Sequence, residues 1–207
     1  MLNWSGLPVV QVRSTVFLQH PFFLEMAAES IRREGTIRLP FGSGRTSPID
    51  TLDVAEVIAA ILASPAEHMG KVYELTGPKS QDMRGLAVEY SEALGRPVAY
   101  MDVPLEQWRD QELRPRGLPK HVYEHLLTMA KLHAANRYDR LTHDVEAILG
   151  RPATSARDFV SRHADSFALR PSRESQPCRS TPLWQTWIQT VRKWLSTSKT
   201  CKSGSGL

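Results

Sequence analysis

Leu7-Pro8-Val9-Val10-Gln11-Val12-Arg13 decides the reading of this chain. The run is rich in valine and continuously apolar apart from Gln11, the pattern of a parallel strand buried on both faces rather than of a half-solvated one. Such a strand needs neighbouring strands and covering helices. Only six residues precede it, so that cover is expected partly from elsewhere, which points to truncation.

Working outward, a helix is expected around Pro21 to Arg33, an extended stretch at Thr36 to Leu39, and a turn at Gly42-Ser43-Gly44. Asp53 stands three residues before Glu56 as an expected helix cap, and Val54, Val57, Ile58 and Ile61 form the apolar face of a helix over 53–63. Lys71 to Thr76 reads as a strand, Gln81 to Leu94 as a helix closed by Gly95, and Pro97 to Val103 as a further strand. Helices follow at about 105–112, 119–137, 142–149 and 155–166, with Ser155 and Asp158 placed as a capping box. Strands alternating with helices and followed by a run of helices make this an α/β chain with a C-terminal helical lobe. The strands at 8–13 and 71–76 should pair in parallel.

The charge is unevenly placed. The chain has 207 residues and a formal charge of +4, but from Ala168 onward seven basic residues face a single Glu174. The body is left with 19 basic and 21 acidic side chains, so it offers no electrostatic case for nucleic acid. Both cysteines, Cys178 and Cys201, lie in the tail, and the body therefore has neither a disulfide framework nor a thiolate metal site. No secretory signal is recognisable at the N-terminus and no apolar run approaches a membrane span, so a cytoplasmic location is expected. Residues 168–182, rich in Ser, Arg and Pro, read as a flexible linker. In 183–207, Trp184, Trp187, Ile188, Val191, Trp194 and Leu195 make one amphipathic stripe, a candidate for self-association through a helix at 183–195, with an anionic membrane surface as the less favoured destination.

Several catalytic patterns are missing. A dinucleotide cradle needs G-x-G-x-x-G so that backbone amides can reach the pyrophosphate, yet position 47 after Gly42 and Gly44 is Ser47. No tyrosine is followed four residues later by lysine, so the acid–base dyad of short-chain dehydrogenases is absent, and there is no G-x-S-x-G elbow. His121-Val122-Tyr123-Glu124-His125 has H-x-x-E-H spacing, but no third ligand motif follows it and a solvated helix face is the preferred reading, so no metal is expected. No residue is assigned a catalytic role.

Ligands of open α/β sheets bind beyond the carboxyl ends of strands, which makes Arg13 to His20 the natural lip of a site. The alternative is that Phe17 and Leu18 are core and Arg13 is a surface ion-pair partner.

Three segments in order, SGLPVVQVRSTVFLQH (5–20), GTIRLPFGSGRTSPIDTLDVAEVIAAIL (35–62) and GKVYELTGPKSQDMRGLAVEYSEALGRPVAYMDVP (70–104), resemble the NmrA-like, atypical short-chain dehydrogenase family over about residues 4–167. The resemblance implies a partial Rossmann-type fold with C-terminal strands and a helical substrate lobe, domain 1–167, the N-terminal nucleotide-binding half being missing. In that family the lip reads Arg-x-Pro and then an aromatic. Arg13 and Phe17 match, Thr15 stands where proline is usual, and Gln19-His20 replaces an acidic-Asn or Asp-Asn pair. By resemblance, Arg13, Ser14, Thr15, Val16 and Phe17 face NAD or NADP, while His20 and Phe41 lie nearer a small-molecule substrate. The implied activity is hydride transfer from the nicotinamide to a quinone-like acceptor. The rival readings are a non-enzymatic NAD(P) sensor that binds a partner protein and a fragment without function.

Overall fold

The computed structural model describes residues 7–168. The expectations for a linker and for an amphipathic helix at 183–195 lie outside the described residues.

The chain forms β1 (Gln11–Ser14), α1 (Glu25–Glu34), β2 (Thr36–Leu39), α2 (Thr51–Ala63), α3 (Pro65–His68), β3 (Val72–Leu75), α4 (Met83–Leu94) and β4 (Ala99–Asp102). The helical lobe follows with α5 (Leu105–Trp108), a π turn and a 3-10 turn over 109–116, α6 (Lys120–Ala134), α7 (Asp144–Leu149), α8 (Ala156–Arg162) and α9 (Ala164–Phe167). This is an α/β fold. The strands pair in parallel as two ladders, β1 with β3 and β2 with β4, with Gln11 opposite Val72 and Thr36 opposite Ala99. The pairing of the first and third strands is the one expected from the crossover between them.

Each ladder has its own core. Ile49, Val57, Ile61, Leu75, Val145 and Ala153 pack against Val10 and Val12 beneath β1 and β3. The larger cluster gathers Phe22, Phe23, Ile31, Ile37, Leu39, Phe41, Tyr90, Trp108, Met129 and Phe159 from α1, β2 and the turns beside them, from α4 and from the lobe. Arg32 of α1 and Arg96 donate to the carbonyls of Ser166 and Phe167, so two cations hold the carbonyl end of α9.

Three expectations need correction. The first strand is not buried on both faces: it begins at Gln11, Leu7 is 62% exposed, and Arg13 and Ser14 are exposed. Among the described residues β3 is the strand that pairs with it. The cap of α2 is Asp50 rather than Asp53; its Oδ1 accepts the Leu52 N–H at 2.9 Å, and the helix starts one turn earlier. Asp53 is instead buried, accepting from Thr154 N (2.7 Å) and pairing with Arg151 (2.9 Å). The helix therefore turns Asp53, Val57 and Ile61 inward and leaves Ile58, expected in the apolar face, half-exposed. The helix expected over 155–166 breaks at His163; its start is the predicted one, Ser155 Oγ accepting the Asp158 N–H, while the Asp158 carboxylate takes the hydroxyl proton instead of closing back on the backbone.

Candidate functional site

Beyond β1 the chain stays extended and is sewn to the loop before α2. Thr15 N–H donates to Leu75 O (3.0 Å) and its hydroxyl to Ser47 O (2.7 Å), while Leu18 N–H reaches Ile49 O and Ile49 N–H returns to Val16 O. An extended backbone alternates its side chains, so Val16 and Leu18 are buried and Phe17 points out, 38% exposed. His20 N–H then closes a turn on Phe17 O at 3.0 Å, which places Phe17 and His20 at the two ends of one bend.

Gln19 braces this bend. Its amide nitrogen donates to Asp50 Oδ1 (2.7 Å) and its carbonyl oxygen accepts from Thr51 N–H (3.2 Å). Burial alone would raise the Asp50 carboxyl, yet the Leu52 amide, the Gln19 side chain and the Arg162 guanidinium hold it below the usual carboxylate range. An ionised, fully enclosed carboxylate thus ties the lip, the start of α2 and α8 together.

The seven residues expected at the site fall into layers. Arg13 and Ser14 are exposed, and Arg13 pairs loosely with Glu74 at 3.8 Å while donating to Gln11. Thr15 and Val16 are tied into the backbone network, Phe17 faces outward, and His20 is half-buried against the Phe22 ring. Phe41 is fully buried behind them; its ring reaches the bend only through Phe22, whose centroid lies 5.2 Å from that of Phe41 and 4.6 Å from that of His20. Of the core-and-ion-pair alternative at the lip, Leu18 is core and Arg13 is a surface ion-pair partner, but Phe17 is not core.

Two groups were missed. His125 is exposed, as expected of the solvated face that it shares with His121 and Glu124, but its ring centroid stands 6.3 Å from that of His20, a nearness not expected. Residues 125, 129 and 133 recur at helical spacing, which puts them on one face of α6, but nothing in the sequence sets that face against His20. His133 lies among Phe22, Phe41 and Tyr138 with neither ring nitrogen hydrogen-bonded, and burial followed by the proximity of His20 pushes its pKa down to about 3. Among the described residues no group of three His, Cys, Asp or Glu side chains is placed to hold a metal ion, and no helix is long and apolar enough to cross a membrane.

No family model matches the chain. Among curated proteins it is 31% identical over 172 residues to the NAD(P)H azoreductase of Xenophilus azovorans, the match covering 80% of this chain and 59% of that protein. Among solved structures it superposes on the NADPH-dependent quinone oxidoreductase of Escherichia coli with a TM-score of 0.65 at 24% identity, covering 79% of this chain and 56% of that one. Its relatives are NmrA-like, NAD(P)-binding Rossmann oxidoreductases. The negative transcriptional regulator NmrA, solved with NADP, shares the fold at a TM-score of 0.57 and 16% identity, covering 77% of this chain and 53% of that one. The chain spans little more than half the length of the relatives it matches.

Proposed function

We propose that this chain is the substrate-side part of an NAD(P)H-dependent reductase of small quinone-like or related acceptors, its nucleotide phosphates being held by residues other than these. The observation that carries the reading is the bend at Phe17–His20: a half-exposed aromatic and an imidazole, braced by Gln19 and Asp50, at the carboxyl end of a parallel strand, where open α/β sheets bind their ligands. The resemblance to an azoreductase at 31% identity supports an enzyme over a sensor.

The residues present fit one end of the cofactor. Ser14 offers an exposed polar edge suited to a nicotinamide, next to the exposed Phe17 ring at which the acceptor would lie. The buried glycines do not suit a pyrophosphate: a Cβ at Gly44 would overlap the His133 carbonyl and one at Gly77 the Pro48 carbonyl, so the missing side chains serve the packing of the chain on itself. When bound, NAD(P)H would supply the hydride; the protein contributes orientation and exclusion of water. Val16, Leu18 and the Thr15–Ser47 bond keep the lip in place, and Gln19 fixes the direction in which His20 leaves it.

The test joins the N-terminal part of the X. azovorans azoreductase to this chain and follows loss of reduced nicotinamide with quinone and azo acceptors. Turnover that falls on F17A supports the reading. A folded chimera that binds NADPH and reduces neither acceptor class contradicts it.

A further inference from the structure

We propose that His20 presents a fixed, uncharged Nε2–H donor to the carbonyl oxygen of a quinone-type acceptor whose ring lies against Phe17. The inference rests on the reductase reading and names the group in the acceptor that this bend recognises.

The tautomer follows from a backbone contact. His20 Nδ1 accepts the Phe22 N–H at 3.3 Å, and a neutral imidazole that accepts at one nitrogen carries its proton on the other. Nε2 is therefore a donor, and it makes no hydrogen bond to another described residue. The Phe22 ring packs on it at 4.6 Å, and the turn whose amides run from His20 N to Phe17 O and from Phe23 N to His20 O fixes the backbone from which the ring leaves, so the Nδ1 bond and the Phe22 ring together set the direction of the N–H bond. Burial, and next the neighbouring His125 imidazole, push the His20 pKa down to about 4, so the ring stays uncharged at neutral pH.

The chemistry of the acceptor follows from these three properties. An uncharged N–H with no counter-ion suits a neutral carbonyl oxygen better than a carboxylate, which would call for a cation. Such a donor is also the form that stabilises negative charge growing on an oxygen without giving up its own proton. Phe17, one bend away and half-exposed, supplies an apolar aromatic surface. An aromatic ring bearing a carbonyl satisfies both residues. His125, exposed on α6 and without a hydrogen bond or ion pair to another described residue, is the second imidazole on the acceptor's path and adds no carboxylate to repel or neutralise it. No bond to either histidine forms or breaks.

The test uses the whole chain, labelled with nitrogen-15 in its histidine rings. At neutral pH His20 should show the Nε2–H tautomer before any ligand is added; the Nδ1–H tautomer or a charged ring overturns the proposal and leaves the reductase reading intact. Duroquinone and durene, the same ring with and without oxygens, are then titrated separately. Duroquinone should move the His20 Nε2 resonance and bind about fivefold more tightly than durene, the effect of one hydrogen bond. H20F should abolish that difference while durene binding is unchanged. Equal binding of the two probes to the unaltered chain, or no movement of the His20 resonance, overturns the proposal without any variant being needed.

Discussion

Gly44 packs so closely on the end of α6 that its missing side chain is filled by the carbonyl oxygen of His133. Gly42, two residues earlier, has φ +56° with open space around it. The two glycines of one G-x-G pair thus serve different ends: one allows a left-handed turn, the other a close approach.

G44A should therefore cost about 1–3 kcal/mol by forcing the 41–46 loop off α6, and G42A about 1 kcal/mol through its backbone alone. Urea denaturation measures both. G44A should also move His133 and Phe41 resonances, which G42A should not.

His133 gives the fold a dependence on acid. Its ring titrates near 6.5 when unfolded and only near 3 when folded, so below pH 6.5 the unfolded chain takes up a proton that the native chain refuses. Its contribution is intact above pH 6.5 and is lost as the pH falls towards 3, at about 1.4 kcal/mol per pH unit. Neither ring nitrogen has a partner, so H133F discards nothing that the ring uses; it should leave stability at pH 8 nearly unchanged and raise it at pH 5. His20, lowered to about 4, works in the same direction, and part of the slope should survive in H133F. A variant as acid-sensitive as the natural chain contradicts this.

Asp50 works with the opposite sign. Its carboxyl is held below the unfolded value of about 3.9, so its stabilisation is present above that pH and is lost as the pH falls through it. D50N at pH 7 should cost about 2–3 kcal/mol, since it strips Arg162 and Leu52 of a charged partner, and the gap to the natural chain should narrow below pH 4. Because Gln19 also bonds Asp50, amide exchange in 15–20 should quicken in D50N.

Much of the fold was legible in local pattern. The strand at Thr36–Leu39 matches residue for residue, and Gly95 and Gly150 end their helices in the left-handed conformation expected of them. What could not be read was tertiary. Asp50 and Asp53 are both plausible caps in sequence, and only the distant Thr154 and Arg151 decide that Asp53 is used elsewhere. The valine run at 7–13 reads as a doubly buried strand because periodicity records apolarity, not the presence of neighbours. At the site, the alternation that exposes Phe17 and buries Val16 was available from an extended stretch, but the nearness of His20 and His125 was not: it depends on how α6 crosses the lip, 105 residues on.

Calorimetric titration of NADPH into the 207-residue chain tests the central claim most directly. If these residues form the substrate side and hold no phosphate cradle, the chain alone should show no binding at micromolar concentrations. A dissociation constant of about 1 μM or tighter, worth about 8 kcal/mol, would show that the cradle lies within these residues and contradict the account.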